Sequence, residues 1–358
     1  MIFDDLDERK LRILHSIIDH YILTAIPVGS RAIAKQEGIG VSSATIRNEM
    51  SDLEEMGYLE QPHTSAGRVP SQKAYRLYVD RLMRLRPLSP ADKHTIKYRI
   101  GEHLDGLEEL TVHTAKVLSE LTKLPSIVKA PEVDNITIRH VQIVPVSSGR
   151  ALAVIVTEAA TVHDAMMKVP ENFGTEELER ASRILTTRLR GFTLREAMAI
   201  LEEQMQGEFA EYRQISGQLG TSLDESIHKK KKGQIALGGT ANLFMYPEFS
   251  DVRSAQHMLS VFEAEDLLYQ LLEKADPMTL SIHIGSENPV AEMKGSSVVT
   301  ASYQIGGTTG SFGVIGPTRM DYAHIVSVMQ TMAHSLTRIF ASAEEMEGKK
   351  RRDLSEDK

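Results

Sequence analysis

The chain has 358 residues, long enough for two or three domains at ~150 residues each, with 41% hydrophobic and 25% charged residues, which excludes a disordered or fibrous polymer. It has no cysteine, which excludes disulfides, thiolate zinc sites, iron–sulfur clusters and cysteine nucleophiles, and its net charge of −8 argues against a general polyanion binder. The charge is uneven: residues 1–86 carry 12 basic and 12 acidic side chains, yet residues 61–86 hold six basic ones (Arg68, Lys73, Arg76, Arg81, Arg84, Arg86) against Asp80 alone. A local excess of positive charge on an acidic protein is where phosphate contacts are expected.

Apolar residues at Leu11, Leu14, Ile17, Ile18, Tyr21 and Ile22 predict a helix over 6–22. Ala25–Gly29 breaks it, and Ser30 is placed to cap a short second helix over 31–36. A tight turn at 38–41 leads to a third helix capped by Ser42 or Ser43 and running to about Met56, with Ile46, Met50 and Leu53 inward. Gly57 ends it. Residues 58–60 and Val69 predict the two strands of a hairpin whose tip, 61–68, is polar and rich in small residues. Pro70-Ser71 opens a fourth helix with Ala74, Tyr75, Tyr78, Leu82 and Leu85 inward. Pro87 and Pro90 mark a boundary, beyond which one long helix is expected over 91–124. Residues 136–146 and 151–157 read as a β-hairpin around Ser147–Arg150. Helical patterns dominate 170–250, and strands are expected at 235–244, 279–284, 298–305 and 310–315. A last helix spans 322–340, ahead of a charged tail. Two early strands and three late ones around a mostly helical middle predict an α+β unit carrying an insertion. No secretory leader is seen, and the most apolar stretch, 151–157, is too short to cross a bilayer. A location in the cytoplasm, with no membrane partner, is expected.

Three helices, a tight turn before the third, and then a hairpin follow the order of a winged helix-turn-helix. The third helix can enter a major groove with its N-terminal residues at base edges. Ser42, Ser43, Thr45, Arg47 and Asn48 are its candidate contacts: Arg forks to guanine, Asn to adenine, and Ser or Thr suits phosphate or base. The acids Glu49, Asp52, Glu54 and Glu55 lie towards the other end. Ser30 and Arg31 on the second helix, His63, Thr64, Ser65 and Arg68 on the wing, and Lys73 behind it complete the candidate DNA-binding set.

Other signals carry less. Ser226…Lys229, Ser286…Asn288 and Thr308-Thr309-Gly310 follow the order of a penicillin-recognising serine enzyme, but each is short and the third lacks its lysine. Gly306–Gly310 reads as a hairpin turn because the lysine of a phosphate loop is missing. The 13 histidines show no metal-binding spacing, and no cofactor or metal is expected. The residues alone leave two classes: a sequence-specific DNA-binding repressor, or a small-molecule-sensing or enzymatic α+β protein with an incidental helical head.

The segments VSSATIRNEM (41–50), LEEMGYL (53–59) and QPHTSAGRVP (61–70) closely resemble the bacterial heat-inducible transcription repressor family HrcA, as do Lys73–Arg76, Tyr78–Asp80 and the late block around 306–320. Ala74 stands where many members carry glycine. The resemblance implies a non-enzymatic, multidomain α+β repressor. Its expected parts are a winged helix-turn-helix at 1–86, a GAF-like domain at 87–169 and 251–345, a mostly helical dimerisation domain inserted at 170–250, and a charged tail at 346–358. It further implies a homodimer on the CIRCE inverted repeat, which precedes chaperone operons of the groE and dnaK type, and help from the GroEL chaperonin in reaching the active form.

Overall fold

The computed structural model describes residues 6–36, 40–63, 66–101, 107–131, 137–158, 162–203, 217, 219–221, 235–272, 280–305 and 308–338. Helices α1 (Glu8–Thr24), α2 (Ser30–Ala34) and α3 (Ser43–Glu55) form the head, followed by strands β1 (Leu59–Glu60) and β2 (Val69–Pro70). Asp7 caps α1 by accepting from the Lys10 amide, and Ala25 at φ +55° ends it. Gly29, not Ser30, is the N-cap of α2; Ser30 is its first helical residue. Of the stripe foreseen on α1, Leu14, Ile17 and Ile18 are buried and Leu11, Tyr21 and Ile22 partly so; with Ile13, which it did not include, they share one core with Ile46, Met50 and Leu53, the line foreseen on α3.

The fourth helix is shorter than expected. Helix α4 (Gln72–Leu77) widens into a π turn at Tyr78–Leu82, and the chain becomes extended at Met83. Leu85 is therefore 48% exposed rather than inward. The long helix foreseen over 91–124 is two helices, α5 (Pro90–Gly101) and α6 (Leu107–Thr122), which pack on one another.

The remaining elements are β3 (Ser126–Lys129), β4 (Ile138–Ser147), β5 (Arg150–Thr157), β6 (Val162–Lys168), α7 (Thr175–Leu189), α8 (Leu194–Glu203), β7 (Ile235–Gly238), α9 (Val252–Glu263), α10 (Glu265–Leu272), β8 (Leu280–Ile284), β9 (Ser296–Ile305), β10 (Thr308–Pro317) and α11 (322–338). The body is a five-stranded sheet of order β7-β3-β10-β9-β8. Its alternation is that of a strand buried on both faces. Val128, Val299 and Val314 join α6 and α11 on one side, while Ile127, Val298 and Ile315 join α9 and α10 on the other. Of the hairpin turn foreseen at 306–310, Thr308–Gly310 already belong to β10, which pairs with β9, and Gly306 and Gly307 lie outside the described residues.

The strand division corrects the expected domain limits. Strands β4, β5 and β6 pair in chain order in a separate three-stranded sheet. Their inner face (Val141, Ile143, Ala151, Ala153, Ile155, Met167) packs on Leu178, Ala181 and Leu185 of α7 and on Leu194 and Ala197 of α8 in a core of its own. Residues 138–168 thus belong with the segment after 170, not with 251–345. The late strands find their partners in β3 and β7, which flank that unit in sequence. The unit is also α+β rather than mostly helical. Part of 170–250, including 204–216 and 222–234, and the whole tail 346–358 lie outside the described residues.

Candidate nucleic-acid interface

Helix α3 begins at Ser42, whose Oγ accepts from the Thr45 amide at 3.1 Å and lies 2.9 Å from the Thr45 hydroxyl. Gly40, at φ +63°, makes the turn before it. The Ser30 and Ser43 hydroxyls are 3.0 Å apart and tie the start of α2 to the start of α3. With Ile46, Met50 and Leu53 turned into the core, Ser42, Arg47 and Asn48 are left exposed and Ser43 and Thr45 half-exposed. Arg31 is exposed on α2. The first two turns of α3 therefore present hydroxyls, a guanidinium and an amide to solvent.

Three of the four acids of α3, all beyond its first turn, are paired by cations distant in sequence. Glu49, 8% exposed, is gripped by Lys10 Nζ at 2.9 Å and Arg9 Nη1 at 3.4 Å, and Asp52 by Lys10 Nζ at 3.1 Å. Hydrogen bonds from Lys10 to Glu49 and then Asp52 hold its ammonium pKa well above the usual lysine value, so the cation stays charged. Glu54 receives Arg68 Nε at 2.8 Å and Nη2 at 2.7 Å. Pairs of this kind offset the negative charge of the C-terminal half of the helix.

The wing is fixed at its base. Beyond the β1–β2 pair, Val28 and Arg68 exchange both main-chain hydrogen bonds, at 2.8 and 2.9 Å. Gly67 permits that approach, since a Cβ there would lie 2.5 Å from the Val28 carbonyl. His63 is exposed and its carbonyl accepts from the Ala66 amide at 2.9 Å, closing the tip turn. Thr64 and Ser65 lie outside the described residues. Between wing and α3 runs a cleft of about 400 Å³ whose lining includes Ser30, Arg47, Gln61, Gly67 and Arg68. Two guanidiniums, a hydroxyl and an amide around one cleft suit the oxygen acceptors of a phosphate backbone.

Arg47, Arg68 and Ser30 are thus brought together, and Asn48 and Thr45 share their helix. Lys73 is not part of that cleft. Its Nζ donates to the Met56 carbonyl at 2.9 Å and sits 4.2 Å above the Tyr58 ring, so it satisfies the C-terminal end of α3 and braces the corner into the wing. Sequence reasoning missed Gln61, Gly67 and the α1 cations. A glycine beside the wing arginine was the only available hint, because the α1–α3 pairs span about forty residues.

Comparison with known proteins bears on the whole chain. Residues 108–326 match the family model described as the HrcA protein C-terminal domain. The Heat-inducible transcription repressor HrcA of Pelotomaculum thermopropionicum is 38% identical over 336 residues, 93% of this chain and 97% of that protein. The protein of that name from Ruminiclostridium cellulolyticum is 40% identical over 335 residues, 92% of this chain and 96% of its own. The chain belongs to the HrcA family. That family is one of transcription repressors, not of enzymes. A crystal structure of a hypothetical protein solved at 2.2 Å matches this HrcA-family chain with a TM-score of 0.66 and 25% identity, over 94% of this chain and 99% of the other. Among the described residues, no helix is long and apolar enough to cross a membrane and no three His, Asp or Glu side chains are grouped as for a metal ion.

Proposed function

We propose that this chain is a sequence-specific DNA-binding repressor of heat-shock operons of the groE and dnaK chaperone type. It holds the CIRCE inverted repeat as a homodimer in the cytoplasm and is returned to its active form by the GroEL chaperonin. The observation that carries DNA reading is the polarity of α3 along its axis: Ser42, Thr45, Arg47 and Asn48 at its exposed start, with Glu49, Asp52 and Glu54 in ion pairs further along. In a major groove that arrangement lets Arg47 fork to a guanine and Asn48 to an adenine. We assign the flanking phosphates to Arg31, Ser30, Ser43, His63 and Arg68 and, from the sequence of the wing tip alone, to Thr64 and Ser65, with Lys73 as brace. The regulatory side rests on the repressor names of the relatives.

An inverted repeat calls for two-fold symmetry, one head per half-site. Support for a second copy comes from the outer face of the β4–β5–β6 sheet. Val144, Leu152 and Met166 lie in register across it, and Val144, Val146, Val162 and Met166 are 42–57% exposed. We assign dimerisation to this inserted unit, DNA reading to the head at 1–86, and a GAF-like role to the five-stranded body. The chaperonin role is supported by the build of the chain, since large chains with separate cores fold through aggregation-prone intermediates.

A gel shift at stated salt tests the reading. The inverted repeat should bind at least ~10³-fold tighter than a shuffled duplex, and equal affinity overturns it. Refolding from denaturant with chaperonin and nucleotide should raise the operator-binding fraction, and a competing unfolded protein should lower it. Identical fractions overturn the chaperonin role.

A further inference from the structure

The head is joined to the body by a packed seam. Tyr75, Leu77 and Tyr78 of the α4 segment share one core with Ile284 of β8 and Tyr322, Ile325 and Met329 of α11. Two arginines cross the seam in opposite directions. From the head, Arg76 Nε and Nη2 donate to the two Glu287 oxygens at 3.0 and 2.5 Å, and Nη2 also donates to the Ile282 carbonyl at 2.6 Å. Glu287 is itself anchored, accepting from the Ile284 amide at 2.9 Å. One turn earlier, Gln72 Oε1 accepts from the amide and hydroxyl of Ser286 at 3.0 and 2.9 Å.

From the body, Arg319, 8% exposed, donates to the two Glu248 oxygens at 2.5 and 3.1 Å and to the Ile22 carbonyl at 3.2 Å. Ile22 lies in the last turn of α1, which has no basic residue of its own. Arg319 therefore supplies the positive charge that a helix C-terminus favours. A forked arginine–carboxylate pair constrains angle as well as distance. Arg76–Glu287 is the pair of this kind that spans the seam; Arg319–Glu248 lies within the body and aims the Arg319 Nη1 at the Ile22 carbonyl. The head is thus held at two points, α4 and the end of α1, and each stops rotation about the other.

We propose that Arg76 and Arg319 are positioning residues that set the angle of the DNA-reading head on the body, so that two heads of a dimer fit only one separation of half-sites. The inference rests on the dimeric repressor reading above. Each base pair inserted between half-sites moves them apart by about 3.4 Å and turns one against the other by about 34°. Heads clamped to bodies that are joined in one dimer cannot follow that change, but released heads can.

The test uses the full chain on inverted repeats at the operator's own separation, on repeats moved by one and two base pairs, and on a duplex with a single half-site. The parent should lose at least tenfold in affinity at two base pairs. The E248Q/E287Q double variant, with near-isosteric amides, should lose less than threefold there and keep single-half-site affinity within twofold of the parent. R76K and R319K, which keep the charge and lose the fork, should fall between. Q72A loosens the same seam without unpairing a charge and carries the test if the double variant does not fold. Equal spacing penalties in parent and variants overturn the inference, as does an equal loss on single and double sites. A parent that shows no preference for an inverted repeat over random duplex overturns the repressor reading, and the inference with it.

Discussion

Gly67→Ala should unhook the wing from the helix-turn-helix. The new Cβ would stand 2.5 Å from both the carbon and oxygen of the Val28 carbonyl and 2.8 Å from the Pro27 carbonyl carbon. Ordinary contact begins at 3.4 Å, so the two segments must part by 3.4 − 2.5 = 0.9 Å. The obstructing atoms are main chain, so no rotamer change relieves them. The Val28–Arg68 hydrogen bonds, 2.8 and 2.9 Å long, would open by a similar amount and pass out of range. Two net main-chain hydrogen bonds are worth about 1–3 kcal/mol together, and the Arg68–Glu54 pair hangs from the same backbone. Urea unfolding should show the head destabilised by that amount, and operator affinity should fall at least tenfold. Gly29→Ser is the control in the same cleft. Nothing lies within 4 Å of a Cβ there, and Gly29 is the N-cap of α2, where serine is favoured. It should fold and bind as the parent does. A Gly67→Ala chain that unfolds and binds like the parent, or a Gly29→Ser chain that is equally damaged, would refute the close-approach argument.

Arg47→Ala should weaken operator binding by about 1–3 kcal/mol and relax preference at one base pair; equal losses on operator and random duplex would demote Arg47 to a phosphate contact. Arg68→Ala should weaken binding on all sequences and reduce the salt slope by about one, and an unchanged slope would leave Arg68 as only the partner of Glu54. Ser42→Ala removes the acceptor of the Thr45 amide and should cost about 1 kcal/mol in urea unfolding; no change would place the cap elsewhere. Burial pushes the Glu287 carboxyl pKa up, but the Arg76 hydrogen bonds, the Ile284 amide and the charges of Arg76 and His283 outweigh it and leave it below the usual glutamate value. A pKa depressed in the folded state gives stability that is present above the unfolded-state value and lost as pH falls through the folded one. The Glu287→Gln chain should therefore lose less stability than the parent between about pH 5 and pH 3; parallel pH curves would show that the pair contributes nothing.

The head was legible because each of its features is local. Ser42, three residues before the amide it caps, Gly57 at the end of α3 and the small-residue wing tip all speak through neighbours a few positions away. What escaped reading was pairing over distance. Apolar alternation in 138–157 announces strands but not their partners, and the same alternation occurs in 298–315. Placing both in one α+β unit was consistent with the pattern, but β6 and helices α7 and α8 close the first group on itself. The strand that does join the late group, β3, has four residues behind Pro125 and too little length to show a period. In the site, Arg47 and Asn48 were visible as exposed positions. The pairing of Glu54 with Arg68, and of Lys10 with Glu49 and Asp52, needed the fold to bring them together. Lys73 shows the converse error: a cation in a basic stretch, already committed to the Met56 carbonyl and the Tyr58 ring.

The core that head and body share and the core of the inserted unit place different demands on the chain. Residues from Ile13 in α1 to Met332 in α11 belong to one cluster, so head and body share their buried apolar surface. Separating them would expose Tyr75, Leu77 and Tyr78 on one side and Tyr322 and Ile284 on the other, and fully burying side chains of this size is worth about 1.5–3 kcal/mol each. The head therefore gains its support only when the body is folded. The unit built on β4, β5 and β6 has a cluster of its own and does not enter that coupling. On the proposed reading, damage to the body by heat would reach α3 through this shared packing, with no ligand needed as intermediary. Repair of the body by a chaperonin would restore the same helix by the same route. Folding and DNA reading would then be one equilibrium, which is why the chaperonin experiment should be read on operator binding rather than on helix content.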